Sequence, residues 1–130
     1  RLNGRELYRV DYAPTCSLLV RSEVLRRTGV RMWEQLFVYY DDTIFCWELA
    51  RHGVRLYYTP TVPLQHKISV STGGSRSDFS RYYLARNWAY TGRKTGNWAV
   101  RLLLPLRRAW HALRREDIEI RALRDAARMA

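Results

Sequence analysis

The sequence predicts an α+β fold, with short strands and helices in its first half and helices alone in its second. Three observations predict this class. Short aromatic and β-branched runs alternate with turn residues up to residue 66, and amphipathic helical stretches follow from residue 78. The apolar fraction is 47% of 130 residues, which suits one domain with a hydrophobic core.

The first elements are two short strands, predicted over 7–12 and 16–21 because both runs are rich in aromatic and aliphatic residues. A short helix should follow from Ser22 to Arg27. Ser22 is a favoured N-cap residue, and Gly29 is placed to end the helix.

A second helix is predicted over 43–52, after a dense aromatic segment over 33–40 that should lie as a loop on the core. Asp41 or Asp42 makes a good N-cap, and Gly53 can close the helix. On a helical wheel Ile44 falls among the polar side chains. The expected buried arc consists of Phe45, Cys46, Trp47, Leu49 and Ala50.

The boundaries of the remaining elements are predicted from proline, glycine and serine residues, which interrupt strands and helices. Strands are predicted over 54–59, where Pro60 stops the run, and over 62–66, followed by a Ser/Gly-rich loop over 68–77. Three helices are then expected, over 78–95, 98–115 and 117–129.

The charge is strongly basic and unevenly distributed. The net charge is +11, and residues 76–130 carry 13 basic against 5 acidic side chains. This balance predicts anionic partners. Nucleic acid is not expected, because no nucleic-acid-binding motif spacing occurs. No apolar run approaches the roughly 18 residues of a membrane span, and Cys16 and Cys46 lack metal-ligand spacing.

The pair Asp41-Asp42 is the best candidate for chemistry in this chain. Two adjacent carboxylates repel each other, so a fold keeps them near solvent, a cation or a helix N-terminus. The alternative is that both acids only cap the helix.

An ordered set of motifs resembles the C-terminal half of a family 2 glycosyltransferase of the rhamnosyltransferase-like group, which builds bacterial surface polysaccharides. The motifs are Val10-Asp11-Tyr12, Cys16-Ser17-Leu18-Leu19-Val20-Arg21, Gly29, Phe37-Val38-Tyr39-Tyr40-Asp41-Asp42, Gly53, Tyr58-Thr59-Pro60, His66-Lys67, Ser71-Thr72-Gly73, Tyr82-Tyr83 and Arg86-Asn87.

The resemblance implies a GT-A fold with a short mixed sheet and flanking helices. Residues 1–96 would form its acceptor-side half, as a fragment of a longer enzyme, and residues 97–130 a basic amphipathic helical extension. The family's Asp-x-Asp motif, which holds the metal and the sugar-nucleotide diphosphate, belongs to the other half and does not occur here. The isolated chain is therefore expected to be inactive.

The resemblance also assigns roles to individual residues. Family enzymes of this type are inverting, and Asp42 matches the base that deprotonates the acceptor hydroxyl, with Asp41 steering the acceptor. His66 matches a histidine that helps to bind a divalent cation, Mg²⁺ or Mn²⁺, or contacts the diphosphate. The chain departs from many relatives at Ile44 and Glu48, where they carry an Asp–Arg ion pair.

Two further groups are candidates for binding the substrates. A flexible loop with cations at both ends can close over a diphosphate, or it can be a solvated connection. Aromatic rings can stack on acceptor sugars, or they can belong to the core. The diphosphate candidates are Lys67, Ser71, Thr72 and Arg76, and the acceptor candidates are Trp33, Tyr39 and Tyr40.

The stretch 98–115 alternates tryptophan and leucine with arginine, a pattern typical of a helix on an anionic membrane surface. It could instead pack on the domain or a partner. The resemblance implies a nucleotide-sugar donor, a saccharide or lipid-linked acceptor, and a cytoplasmic, peripheral location at the inner face of the membrane. The alternative function is a non-catalytic basic interaction module or a degenerate glycosyltransferase scaffold.

Overall fold

The structure is a computed structural model that describes residues 6–66, 73–74 and 76–129. The described chain is mainly helical with one small sheet, so the predicted α+β class is confirmed. Its helices are α1 (Ser22–Thr28), α2 (Asp41–Arg51), α3 (Asp78–Lys94), α4 (Trp98–Leu113) and α5 (Asp117–Arg128). Its strands are β1 (Tyr8–Val10) and β2 (Leu56–Tyr58), which pair antiparallel with Tyr8 opposite Tyr58.

The chain divides into two compact units. In its described part, unit 1 comprises residues 6–37 and 41–66, and unit 2 comprises 38–40, 73–74 and 76–129. The predicted division after residue 96 refers to the domains of a longer enzyme and stays a prediction. Within this chain α3 packs against both α4 and α5.

The core of unit 1 forms around Val30, Phe45 and Leu49, which are buried. Partly buried aliphatic side chains from α1, from the segment before it, from β2 and from the connection that leads into β2 surround them: Leu18, Val20, Val24, Leu25, Val54 and Leu56. Gly29 ends α1 as expected, in the left-handed conformation with φ 69°, and its N–H donates to the Leu25 carbonyl at 2.9 Å.

Two of the predicted strands are wrong. Residues 15–17 form a 3₁₀ turn, in which the Ser17 N–H donates to the Pro14 carbonyl at 3.1 Å, and 18–21 pair with no strand in the described chain. Leu18 and Val20 still pack on the core, so their alternation reflects burial rather than a sheet. Residues 62–66 are also irregular, and the expected mixed sheet is a two-stranded antiparallel one among the described residues.

Helix α2 begins two residues earlier than predicted, at Asp41. Both aspartates therefore lie in its first turn, where the helix dipole favours negative charge. The expected buried arc holds for Phe45, Cys46 and Leu49. It is wrong for Ile44, which is buried, and for Ala50, which is exposed.

Unit 2 is built on α3, the longest helix of the described chain. Its N-cap Ser77 accepts a hydrogen bond from the Ser80 N–H at 3.1 Å. Helix α4 approaches it closely at Gly92, where an added Cβ would lie 2.4 Å from Cγ1 of Val100. Helix α5 buries Ala122, Leu123 and Ala126, and α3 and α5 contact each other extensively.

Polar contacts also join α3 to α5. The Arg81 guanidinium donates to both oxygens of Glu119, at 2.6 and 2.8 Å, and the Tyr82 hydroxyl donates to Asp125 at 2.9 Å. Of the helices in the described ranges, none is both long enough and apolar enough to cross a membrane.

Candidate functional site

The candidate site of unit 1 is the aspartate pair in the first turn of α2. Oδ2 of Asp42 accepts a hydrogen bond of 2.5 Å from the Tyr12 hydroxyl, and Oδ1 accepts from the Thr43 N–H at 2.7 Å and the Thr43 hydroxyl at 3.3 Å. Asp41 and Asp42 are both partly exposed. The Asp42 carboxylate is therefore held in one orientation while part of it meets solvent.

The electrostatics of the pair follow from partial burial and mutual repulsion. Burial, and then the neighbouring Asp42 charge, raise the pKa of Asp41 above its ordinary range. Burial, and then the hydrogen bond to Asp42, raise the pKa of Tyr12. Tyr12 thus stays protonated at neutral pH and remains the donor in its contact with Asp42.

The apolar side of α2 carries Cys46, a buried free thiol. Its Sγ lies 3.4 Å from the Ala13 carbonyl, and burial raises the pKa of the thiol. A buried thiol with a raised pKa is a poor nucleophile. The neighbouring Asp42 charge raises the pKa of the Cys46 thiol further. Cys16 is free and exposed.

Trp33, one of the predicted acceptor residues, lines a groove of about 400 Å³ in unit 1. Glu34, Glu48 and His52 lie in the same lining, so an aromatic face is combined with carboxylates and an imidazole. Asp41, Asp42 and His66 are not lining residues of this groove. A second groove of about 760 Å³ is mainly apolar and is lined in part by Leu18, Leu25, Met32 and Phe45.

Tyr39 and Tyr40, the other acceptor candidates, belong to unit 2, where both are partly buried. The Tyr39 hydroxyl lies 2.7 Å from that of Ser80, which is fully buried and itself donates to the Gly74 carbonyl at 2.7 Å. Burial raises the pKa of Tyr40, and the positive charge of Arg107 opposes that rise. Both tyrosines have structural contacts, and acceptor binding by them stays a prediction.

Asn87 is an organising residue that the sequence analysis assigned no role. It is fully buried on α3, and its Nδ2 donates to the carbonyls of Val38 at 2.7 Å and Tyr39 at 2.9 Å. Tyr39 and Tyr40 both have positive φ, 62° and 67°, which costs energy for aromatic residues. The signal in the sequence was a lone amide between two small residues, Ala85 and Ala89. Both of these alanines are buried in the structure.

The structure describes only some of the residues that are predicted to bind the cation and the diphosphate. His66 and Arg76 are exposed. Lys67, Ser71 and Thr72 lie outside the described residues. The roles of these five residues therefore remain predictions.

A second polar cluster, in unit 2, contains His111, Glu116 and Glu119, whose possible ligand atoms lie within 4.8 Å of one another. Nδ1 of His111 lies 2.5 Å from Oε2 of Glu116, and Nε2 accepts from Nε of Arg107 at 3.2 Å. The hydrogen bond from His111 lowers the pKa of Glu116. Because Arg81 already binds both oxygens of Glu119, the cluster is satisfied by protein partners and joins three helices.

No protein-family model matches the chain, and no curated protein or solved structure shows significant similarity to it.

Proposed function

We propose that this chain is the acceptor-binding half of an inverting family 2 glycosyltransferase with a GT-A fold, which acts in the synthesis of bacterial surface polysaccharide. The observation that carries the proposal is the aspartate pair. Asp42 lies in the first turn of α2 with one oxygen bound by Tyr12 and the carboxylate partly open to solvent. The ordered motifs over residues 10–87 support the same assignment.

In this proposal Asp42 is the general base. Its carboxylate takes the proton of an acceptor hydroxyl while that oxygen forms a bond to the anomeric carbon of a nucleotide sugar. The bond from that carbon to the diphosphate breaks, and the nucleoside diphosphate leaves with the electron pair. Tyr12 fixes the orientation of the carboxylate through its hydrogen bond to Oδ2, and Asp41 steers the acceptor.

The donor side depends on residues of the nucleotide-binding half. When bound, a divalent cation, Mg²⁺ or Mn²⁺, neutralises charge on the leaving diphosphate. The exposed imidazole of His66 suits one nitrogen ligand, better for Mn²⁺ than for Mg²⁺. Lys67, Ser71, Thr72 and Arg76 would contact the diphosphate oxygens.

The groove that contains Trp33 is suited to a sugar unit of the acceptor other than the one that Asp42 deprotonates, because neither aspartate lines this groove. The indole face can stack on the apolar face of a pyranose ring, and Glu34 and Glu48 can accept hydrogen bonds from its hydroxyls. In this assignment Glu48 contributes to the selection of the acceptor. Glu48 is one of the two departures from the family pattern.

The test is Asp42→Asn in the protein that contains both halves. Asparagine retains one oxygen that can accept from Tyr12 and loses the acceptor for Thr43, so far-ultraviolet circular dichroism is used to check that the variant is folded. It cannot take a proton, so transfer of sugar to acceptor should fall at least about a hundredfold, the usual contribution of a general base. The matched control is Asp11→Asn, which changes an exposed aspartate of unit 1.

Transfer within about threefold of the parent protein would remove Asp42 from the base role. The second candidate function, a non-catalytic basic interaction module, would then be favoured. The specific observation behind that candidate is an uncovered apolar face on α4. Partner or lipid binding by the chain would not depend on Asp42 in that case.

A further inference from the structure

Helix α4 exposes most of its large apolar side chains. Six of them are between 51% and 83% exposed: Trp98, Leu102, Leu103, Leu106, Trp110 and Leu113. A soluble protein rarely leaves so many large apolar residues uncovered on one helix. An exposed apolar face of this size is typical of an interaction surface.

The exposed residues form one continuous arc. At 3.6 residues per turn they lie, with Pro105 and Ala109, within roughly 160° of the helix circumference. Arg101 and Arg108 border one edge of this arc, and Arg107 and Arg114 border the other. No acidic residue occurs between 98 and 115, so the apolar face has basic margins on both sides.

The opposite face of α4 holds the helix on unit 2. Val100 is buried, and Leu104, Arg107 and His111 are partly buried. The Arg107 guanidinium lies 4.6 Å from the ring centroid of Trp88 and donates to His111, while Arg108 donates to the Leu123 carbonyl at 3.2 Å. These contacts fix the rotation of α4, so its other four leucines face outward: Leu102, Leu103, Leu106 and Leu113.

We propose that α4 lies flat on a membrane surface rich in anionic lipid, with its apolar arc inserted among the acyl chains and its marginal arginines at the headgroups. The inference is independent of the glycosyltransferase proposal. Charge complementarity favours this occupant, because the flanking charges are all positive. Tryptophans at positions 98 and 110 suit the boundary between headgroups and acyl chains.

A second copy of the chain is the less suitable occupant. A coiled-coil contact uses a narrow seam of positions a and d, whereas the exposed arc here is wider. Facing copies would also bring their arginine margins together, and this like-charge contact is unfavourable.

The test uses the 130-residue chain and vesicles of phosphatidylglycerol with phosphatidylcholine, against vesicles of phosphatidylcholine alone. Co-sedimentation should be strong with the anionic vesicles and weak with the neutral ones. Leu102→Ser/Leu106→Ser should lower partition at least tenfold. The matched control is Leu19→Ser/Leu64→Ser, which changes two exposed leucines of unit 1 and should leave partition unchanged.

The basic margin of α4 is tested with Arg101→Gln/Arg114→Gln, since both side chains are exposed. The Arg114 guanidinium contacts its own helix, 4.1 Å from the ring centroid of Trp110, whereas Arg107 is tied to Trp88 and His111. A loss of about fivefold per arginine is expected, which corresponds to about 1 kcal/mol per basic residue near an anionic surface. Arg9→Gln/Arg55→Gln in unit 1 is the control and should have a smaller effect.

Tryptophan emission gives a readout that does not depend on a variant folding. Anionic vesicles should shift the emission of the parent chain to the blue, and lipids brominated on their acyl chains should quench it. Trp98→Phe/Trp110→Phe should abolish most of the shift while sedimentation persists.

Three results would overturn the proposal. The first is failure of the parent chain to sediment with anionic vesicles. The second is equal loss of binding in the unit 1 control and in the α4 leucine variant. The third is a dimer in vesicle-free sedimentation velocity that Leu102→Ser/Leu106→Ser dissociates, together with absence of vesicle binding, which would assign the face to a second copy.

Discussion

Asn87 should be among the largest single contributors to the stability of unit 2. Its amide nitrogen is the donor for two backbone carbonyls, at 2.7 and 2.9 Å, and the side chain is fully buried. Asn87→Ala removes both hydrogen bonds, as well as the one that Oδ1 accepts from Nε of Arg86 at 2.8 Å, and leaves the partly buried carbonyls of Val38 and Tyr39 without this donor. Each such loss costs about 1–3 kcal/mol.

The expected total for Asn87→Ala is about 2–4 kcal/mol, with the two losses and the small cavity taken together. That is a large part of the roughly 5–15 kcal/mol that stabilises a typical domain. Asn87→Asp has nearly the same shape and keeps the acceptor for Nε of Arg86, but it offers the two carbonyls no N–H donor and points a carboxylate oxygen at them. It should therefore destabilise the protein more than alanine does.

The assay is urea unfolding of the 130-residue chain followed by far-ultraviolet circular dichroism, with the free energy of unfolding taken from midpoint and slope. Asn97→Ala is the control, because Asn97 is an exposed N-cap residue of α4 and its loss should cost only about 1 kcal/mol. The reasoning fails if Asn87→Ala changes stability by less than about 0.5 kcal/mol. It also fails if the aspartate variant is as stable as the alanine variant.

Two further predictions concern single contacts. Tyr12→Phe should lower the free energy of unfolding at pH 7 by about 0.5–1.5 kcal/mol, because it removes a solvent-exposed hydrogen bond to the charged Asp42. The raised pKa of Tyr12 means that its contribution is present below its ordinary value of 10 and is lost as pH rises above it. The difference in free energy of unfolding between the parent and Tyr12→Phe should therefore shrink above pH 10 in urea titrations. A difference that stays constant with pH would contradict this prediction. Gly92→Ala should destabilise the chain by about 1–3 kcal/mol, since the new Cβ overlaps Val100. Adding Val100→Ala should restore part of that loss in thermal unfolding, and no restoration would exclude a steric cause.

The helices were predictable because their ends carry local signals. Gly29, Gly53 and Gly96 follow α1, α2 and α3, all with positive φ between 69° and 72°, and glycine adopts that conformation without strain. The strands were less predictable, because a strand exists only where a second strand pairs with it. The aliphatic run over 16–21 has strand propensity, yet its apolar side chains are accommodated by packing alone.

Only those features of the candidate site that depend on neighbouring residues could be predicted from the sequence. Adjacent acids after an aromatic run indicated the start of a helix, and both lie in the first turn of α2. The donor Tyr12 is 30 residues away along the chain, and no periodicity connects it with Asp42. The same holds for Asn87 and the carbonyls it binds, 48 and 49 residues earlier. Such contacts depend on tertiary placement, which a single sequence does not encode in its spacing.

Helix α4 shows why amphipathicity does not by itself tell which face is buried. Its pattern has one strongly apolar side, which in a globular protein normally faces the core. Here the inward side carries Val100 against Gly92, and His111, which bonds to both Arg107 and Glu116. Those polar groups would be costly to turn outward, because Glu116 would lose the hydrogen bond that lowers its pKa and Trp88 would lose its cation. The inward contacts thus fix the rotation of the helix, and the leucines and tryptophans face outward as a consequence.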